Sequence, residues 1–349
     1  MKKTIIWLLT AVILTTSGCG AKKASDNSIP CWTEDSAAAK SIMAYVDEVV
    51  DETSYNFVPV ESRIAVFDFD GTLYGERFPA SFETCLMMYR TLHDVKYEAP
   101  EEIKAYAAEL EEALMNYQPA PDSGLSASRC SAEIFKGVSY WKYREYIREY
   151  MSNPAYGFKG MTYREGFYKP MVELIKYLAD HDFTIFISSG SERTVVRELT
   201  WGYLDDWIPF DRVIGNSFSF ISTGQHQDTD SREYRLAEND GIEIEGYMQW
   251  DNRNTNKVLT VIDEIGTPPV LVFGNSSEDL ALAEYSVQYG GKAYMLLCDD
   301  TERDYGDPDA SAEFAGECEK LGFETVSMKN DFSTIYGDHV EKIEEHYGN

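Results

Sequence analysis

Short apolar runs alternate with helical patterns along most of this chain. Residues 64–69, 183–187 and 270–273 are nearly unbroken runs of Ile, Val, Leu and Phe, which is typical of strands buried in a parallel sheet. Residues 41–50 and 170–181 carry apolar side chains at helical spacing. The alternation predicts an α/β fold built on a doubly wound, Rossmann-like parallel sheet.

Residues 79–160 follow a different pattern, because no apolar strand run interrupts them. Three segments have helical periodicity: residues 82–93, 101–116 and 132–151. We therefore expect a helical unit inserted into the α/β domain, whose two parts are residues 41–78 and 161–349.

Two carboxylates end the first predicted strand. Asp68 and Asp70 are two residues apart, so in a strand their side chains face the same way. The carboxyl ends of parallel strands are where open α/β sheets bind ligands. Both residues could also simply form a turn. Against that, Asp68 still belongs to the apolar run, where an unpaired carboxylate is costly unless a cation or a proton neutralises it.

The segment Asp68-Phe69-Asp70-Gly71-Thr72-Leu73 resembles the first motif of the haloacid dehalogenase superfamily of phosphohydrolases. Ser189 and Gly190 follow the second apolar strand and precede a helix, which resembles the second motif. Ser188 is the alternative serine for that position. Lys257, at the start of a predicted helix over residues 258–263, resembles the third motif.

The fourth motif matches less completely. Gly274-Asn275-Ser276 follows a buried strand, and Asp279 comes four residues after Asn275. This segment is similar to the metal-binding motif of the superfamily, which usually has Asp where this chain has Asn275. An amide oxygen can still bind a hard cation, but one negative charge is lost.

The resemblance implies a mechanism as well as a fold. Asp68 would attack phosphorus and form an aspartyl-phosphate, while Asp70 would act as general acid and base. Ser189, Gly190 and Lys257 would bind the phosphoryl oxygens. The implied Mg²⁺ ligands are Asp68, the backbone carbonyl of Asp70, Asn275 and Asp279, the last directly or through water. The helical unit, residues 79–160, would be a cap of the kind found in phosphoserine-phosphatase-like members.

Three functions follow from these matches. The resemblance implies a magnesium-dependent phosphomonoester hydrolase acting on a small phosphorylated substrate, and Asp70 favours this because it can protonate a leaving oxygen. A phosphotransferase or mutase comes second. A non-catalytic ligand-binding surface lipoprotein is the alternative from a different class, since the change at Asn275 can mark lost chemistry.

The first residues indicate export. Met1-Lys2-Lys3, an apolar run over residues 5–14 and small residues before Cys19 resemble a bacterial lipoprotein signal. We expect a signal peptide over residues 1–18, a lipidated Cys19 and a tether over residues 19–40. The protein would then lie outside the cytoplasm and reach the membrane only through its lipid. Plain secretion stays open, because Thr16 stands where Leu is usual.

The charge and composition of the chain limit the classes of binding partner and metal site that we expect. The chain has 60 acidic and 31 basic residues and a formal net charge of −29, which argues against nucleic acid and anionic lipid surfaces as partners. The five histidines and the cysteines lack the spacing of a zinc or iron site. Five cysteines follow Cys19, so one extracellular pair could be bridged. We expect a monomer.

The helical unit and the segment after it are rich in aromatic rings, and two arginines follow the second motif. The rings could form a cage for a quaternary ammonium group such as that of phosphocholine, but a tyrosine-rich packed core is the favoured interpretation. The residues concerned are Tyr140, Trp141, Tyr143, Tyr146, Tyr150, Tyr156, Phe158, Tyr163, Phe167 and Tyr168.

Arg193 and Arg197 could face the phosphate, although a surface position is the usual one for arginine.

Overall fold

A seven-stranded sheet forms the centre of the protein. The computed structural model describes residues 28–76, 79–226 and 228–343, so Cys19 and the predicted signal peptide lie outside the described residues. The strand order is β5-β4-β3-β1-β6-β7-β8. These strands are β1 Ile64–Phe67, β3 Thr184–Glu192, β4 Val213–Ser222, β5 Ile242–Trp250, β6 Leu271–Gly274, β7 Lys292–Leu297 and β8 Glu324–Ser327.

All pairings in this sheet are parallel except the one between β4 and the edge strand β5. Along β1, Ala65 and Phe67 join one core cluster, whereas Ile64 and Val66 join the other. Both faces of the sheet are therefore covered, which explains the unbroken apolar run in the sequence. The predicted doubly wound α/β sheet is confirmed.

In the described residues outside the inserted unit, the α-helices are α1 Ala37–Val50, α6 Lys169–Asp180, α7 Arg193–Thr200, α8 Thr255–Glu264, α9 Leu280–Gln288, α10 Pro308–Leu321 and α11 Met328–Asp331. Short strands β2 Phe158–Lys159 and β9 Glu341–Lys342 pair separately. Helix α8 begins before residue 258 and so contains Lys257. Helix α1 begins before the predicted residue 41, because the Ser36 side chain caps it by accepting a hydrogen bond from the Ala39 amide.

The segment just before α1 is packed against the core. Ile29 and Trp32 are buried, and the Trp32 indole donates a 2.9 Å hydrogen bond to the Pro170 carbonyl. Its ring also meets Phe332 edge-on at 5.1 Å. The described part of the tether predicted for residues 19–40 is therefore ordered structure, held by a few isolated apolar residues that form no periodic pattern.

The inserted unit is helical, as its pattern predicts. Its helices are α2 Phe82–Met88, which continues as a π-helical turn Tyr89–His93, α3 Glu101–Met115, α4 Ala127–Ile134 and α5 Tyr140–Met151. Among the described residues 79–160, the two-residue strand β2 at the end of the unit departs from the predicted all-helical pattern. The single helix predicted over residues 132–151 is wrong. The chain turns at Gly137, whose φ of 72° suits glycine, and its amide donates to the Ile244 carbonyl of β5.

Two sequence expectations concern membrane contact and disulfide bonds. In the part of the chain that the structure describes, no helix is both long and apolar enough to cross a membrane. Cys85, Cys130 and Cys318 are buried thiols outside any disulfide.

We predict that Trp32→Ala lowers the free energy of unfolding by about 3–5 kcal/mol, because it removes a large buried ring and its hydrogen bond to the Pro170 carbonyl. Urea denaturation measures this loss. The matched control is Trp141→Ala, since that ring is 66% exposed, and it should cost less than about 1 kcal/mol. Equal losses for the two variants would contradict the packed position of the segment before α1.

Candidate active site

The carboxyl ends of three adjacent strands meet at the centre of the sheet. Strand β1 lies between β3 and β6, and Phe67 is in register with both Ile187 and Phe273. The Asp68 amide donates a 2.8 Å hydrogen bond to the Phe273 carbonyl. The residues after Phe67, Ile187 and Phe273 therefore share one edge of the sheet, as the sequence predicts for Asp68, Ser189 and Asn275. Ser189 still lies within β3, which extends to Glu192.

A lysine lies between two carboxylates at this edge. Lys257 Nζ is 2.7 Å from Asp68 Oδ1 and 2.6 Å from Asp279 Oδ1. All three side chains are almost completely removed from water: the residues are 1%, 8% and 2% exposed, respectively. Segments that are far apart in the sequence thus converge, and the structure brings together the residues assigned to motifs one, three and four.

Burial and charge shift the pKa values of this group. Burial raises the pKa of Asp68 to about 7; the charge of Asp279 adds to the shift and the Lys257 ammonium opposes it. Burial by itself would lower the pKa of Lys257. The carboxylates of Asp279 and Asp68 outweigh burial and raise that pKa above its ordinary value. Lys257 therefore remains a cation.

Asp279 holds both the lysine and the preceding turn. Its Oδ2 accepts hydrogen bonds from the backbone amides of Asn275 and Ser276 at 3.0 and 3.2 Å, while Oδ1 accepts from Lys257. Both oxygens are thus engaged by protein donors. This arrangement favours a positioning role for Asp279 over direct metal ligation. Ligation through water, the other mode expected from the sequence, stays a prediction.

Two oxygens at the strand ends compete for one hydroxyl proton. Thr72 Oγ1 lies 3.4 Å from Asp68 Oδ2 and 3.3 Å from Asn275 Oδ1, so its single proton satisfies at most one of them, and weakly. Converging hard oxygens of this kind fit Mg²⁺. Across residues 28–343 with their two gaps, no group of three or more His, Cys, Asp or Glu side chains could hold a metal. A cation here would also need the Asn275 amide and a backbone carbonyl, which the sequence assigns to Asp70.

Asp70 contacts a serine that the sequence analysis missed. Ser191 Oγ donates a 2.6 Å hydrogen bond to Asp70 Oδ2, whereas Oδ1 is buried without a hydrogen-bond partner among the described residues. Burial raises the pKa of Asp70 to about 7; the Ser191 hydrogen bond opposes this shift and the Asp68 charge adds to it. A carboxyl group with this pKa can give and take a proton near neutral pH.

Both serines considered for the second motif are fully buried. Ser189 Oγ accepts a 3.0 Å hydrogen bond from the Ser191 amide, and Ser188 Oγ accepts one of 3.1 Å from Asn252 Nδ2. Gly190 lies between them and Ser191 and is partly exposed. The choice of Ser189 stays a prediction, and Ser191 joins it as a candidate because its hydroxyl already reaches Asp70.

Two buried asparagines form hydrogen bonds with the end of β3. Asn252 Nδ2 also donates to the Ser189 backbone carbonyl at 3.1 Å, and the Asn252 backbone N–H donates to Asn216 Oδ1 at 2.6 Å. Asn216 Nδ2 in turn donates to the Gly190 carbonyl. The segment before α8 is thereby fixed to the end of β3. Side-chain hydrogen bonds between distant segments leave no periodic pattern, so the sequence does not predict this network.

The two arginines after the second motif support the structure around α7. Arg193 pairs with Glu264 of α8. Arg197 donates to the carbonyls of Phe210 and Val213. Their positions do not support the expectation that these guanidinium groups face a phosphate.

The aromatic rings of the inserted unit and of the segment after it mostly pack in the core. Tyr143, Tyr150, Phe167 and Tyr168 are buried. Phe167 also stacks on Tyr203 at a centroid distance of 4.3 Å. This packing favours the interpretation of the rings as core over that of a cage.

The helical unit covers the end of β3 through buried polar contacts. Glu83 Oε2 of α2 accepts a 2.8 Å hydrogen bond from the Glu192 amide, and the Tyr143 hydroxyl of α5 donates to Glu192 Oε2. Glu198 of α7 pairs with Arg144 and with a second arginine of α5. These contacts place α2 and α5 beside the end of β3. The role of this unit as a cap stays a prediction.

Glu83 is a buried acid next to the site. Burial raises its pKa to about 8; the Glu192 amide opposes the shift and the Glu192 charge adds to it. Its second oxygen, Oε1, is buried and has no hydrogen-bond partner in the described part of the chain. Glu83 therefore favours its neutral form at neutral pH.

Comparisons with known proteins support the fold. No family model matches this sequence, and no curated protein matches it either. A conserved, functionally unknown protein from Anaerococcus prevotii DSM 20548 has a TM-score of 0.51 at 12% identity, over 82% of this chain and 92% of that chain. This likeness shows the fold alone.

Two further solved structures have lower scores. A protein of unknown function from Bordetella pertussis Tohama I has a TM-score of 0.47 at 12% identity, over 76% of this chain and 97% of that chain. Cytosolic 5'-nucleotidase IIIB bound to cytidine also has a TM-score of 0.47, at 14% identity, over 83% of this chain and 86% of that chain.

We predict that Glu83→Gln becomes more stable relative to the wild type as pH rises from about 5 to about 8. The folded state keeps the Glu83 proton over this range and the unfolded state loses it, so wild-type stability falls with rising pH, by up to about 1.4 kcal/mol per pH unit. Urea unfolding at several pH values measures the difference. The control is Glu61→Gln at an exposed position. The same pH dependence for both variants would contradict the buried state of Glu83.

Proposed function

We propose that this chain is a phosphatase of the haloacid dehalogenase type, which hydrolyses a small phosphomonoester through an aspartyl-phosphate. One observation carries the proposal: Lys257 lies between the buried carboxylates of Asp68 and Asp279 at the ends of β1 and β6. The superfamily resemblance of the four motifs predicts this convergence of distant segments.

Asp68 is the nucleophile in this proposal. One carboxylate oxygen attacks phosphorus, the bond to the leaving oxygen breaks, and the phosphoryl group is transferred to Asp68. Lys257 favours the ionised form of Asp68 through its 2.7 Å contact and offers positive charge to the phosphoryl oxygens. The Gly190 amide and the hydroxyl of Ser189 or Ser191 are the further donors.

Asp70 is the general acid and base in this proposal. It protonates the leaving oxygen as that bond breaks and later takes a proton from the water that hydrolyses the aspartyl-phosphate. Ser191 holds one oxygen of Asp70 at 2.6 Å, which leaves the other for the proton. A shifted pKa of about 7 suits both directions of transfer.

Magnesium is the cofactor that the donor set fits. The ligands would be Asp68, Asn275 and the backbone carbonyl of Asp70, with Asp279 acting on the group through Lys257 and the turn. When bound, the ion neutralises charge on the phosphoryl oxygens.

We also propose where in the cell the enzyme acts. With a lipidated Cys19 the enzyme would lie outside the cytoplasm, held at the membrane by its lipid, and would act there as a monomer on a small phosphorylated metabolite. The second candidate is a non-catalytic ligand-binding lipoprotein. The amide at Asn275 favours it, because this position carries a carboxylate in the family motif.

Asp68→Asn is predicted to abolish magnesium-dependent phosphate release from p-nitrophenyl phosphate, because it removes the nucleophile. The measurement is steady-state release with and without added Mg²⁺. Asp263→Asn, an exposed change on the same helix as Lys257, should keep wild-type activity. A substantial residual rate in Asp68→Asn would refute the covalent role, and no release by the wild type would favour the binding protein.

Asp70→Asn is predicted to slow steady-state turnover by about 10²–10⁴-fold. The p-nitrophenolate group leaves without protonation, so the first step should survive while hydrolysis of the aspartyl-phosphate becomes slow. Rapid mixing should therefore show a burst of p-nitrophenol close to the enzyme concentration. Slow turnover with no burst would remove Asp70 from the second step.

A further inference from the structure

A glutamate outside the recognised motifs lies at the candidate cation site. Glu76 Oε2 is 3.3 Å from Asn275 Nδ2. The two side chains meet at Gly71, where a side chain would collide with both: an added Cβ would be 2.0 Å from Asn275 Nδ2 and 2.6 Å from Glu76 Oε2. Gly71 also has a φ of 78°, so glycine suits this turn sterically as well.

Thr72 connects the two side chains expected to bind the cation. Its hydroxyl oxygen lies 3.4 Å from Asp68 Oδ2 and 3.3 Å from Asn275 Oδ1. Glu76 contacts the same Asn275 side chain, so its carboxylate lies beside a group expected to bind the cation.

We propose that Glu76 is a further ligand of the divalent cation and supplies the negative charge that Asn275 lacks. The inference rests on the proposed function, since it assumes that a cation binds between Asp68 and Asn275. Lys257 contacts both Asp68 and Asp279. The Glu76 carboxylate beside Asn275 would add one negative charge to this group, and carboxylate oxygens are ligands that hard divalent cations prefer.

The alternative is that Glu76 only orients the Asn275 amide. An amide at position 76 could keep that hydrogen bond but would carry no charge. Metal affinity therefore separates the two roles, whereas activity alone would not.

The experiment measures Mn²⁺ binding to the purified protein by electron paramagnetic resonance of the free ion, with Mg²⁺ as competitor. We expect Glu76→Gln to weaken Mn²⁺ binding by at least about tenfold, and Asn275→Asp to strengthen it. The double variant Glu76→Gln/Asn275→Asp should recover most of the lost affinity, because the charge returns on the neighbouring side chain. Thermal unfolding without metal checks that each variant is folded.

Glu278→Gln is the matched control. It removes one carboxylate near the site, but that side chain faces Arg253, 3.7 Å away, so Mn²⁺ affinity should stay close to the wild-type value. Unchanged affinity in Glu76→Gln, or no recovery in the double variant, would overturn the role of Glu76. Phosphate release by the wild type, assayed separately, shows whether the proposed function fails with it. No Mn²⁺ binding by the wild type would overturn the ligand and the magnesium dependence together.

Discussion

The site depends on one buried cation between two buried anions. Removing a partner from a buried ion pair typically costs about 3–5 kcal/mol, because the remaining charge stays desolvated. Lys257 from α8 can satisfy Asp68 after β1 and Asp279 after β6 only if both strand ends and the start of α8 are correctly placed. The group therefore links the geometry of the site to the packing of three distant segments.

Sheet topology supplies that placement. Strand β1 is paired with β3 on one side and β6 on the other, so residues that follow these strands must emerge together. The same topology forces Asp68 to follow a fully buried apolar strand. A carboxylate in that position lowers stability unless it is paired. The ion pair with Lys257 fixes the orientation of the Asp68 carboxylate in a buried environment.

Local periodicity explains what could be predicted. The buried strands, most helices and the residues that end each strand are encoded by patterns a few residues long, so Asp68 and Asn275 could be placed at strand ends. Lys257 could be assigned only through its resemblance to the third superfamily motif. Ser191 and Glu76 could not. Their roles arise from side-chain contacts with Asp70 and Asn275 across turns or distant segments, for which a single sequence carries no periodic signal. The packing of Trp32 was missed for the same reason.

The most direct measurement is the identity of the phosphorylated residue. The protein is mixed with p-nitrophenyl phosphate and Mg²⁺, quenched in acid and digested, and the peptides are analysed by mass spectrometry. The account predicts one added phosphoryl group on Asp68 in the peptide between Arg63 and Arg77, and none in the Asp68→Asn protein. Phosphate release accompanied by a phosphoryl group on another residue, or by the same label in Asp68→Asn, would contradict it.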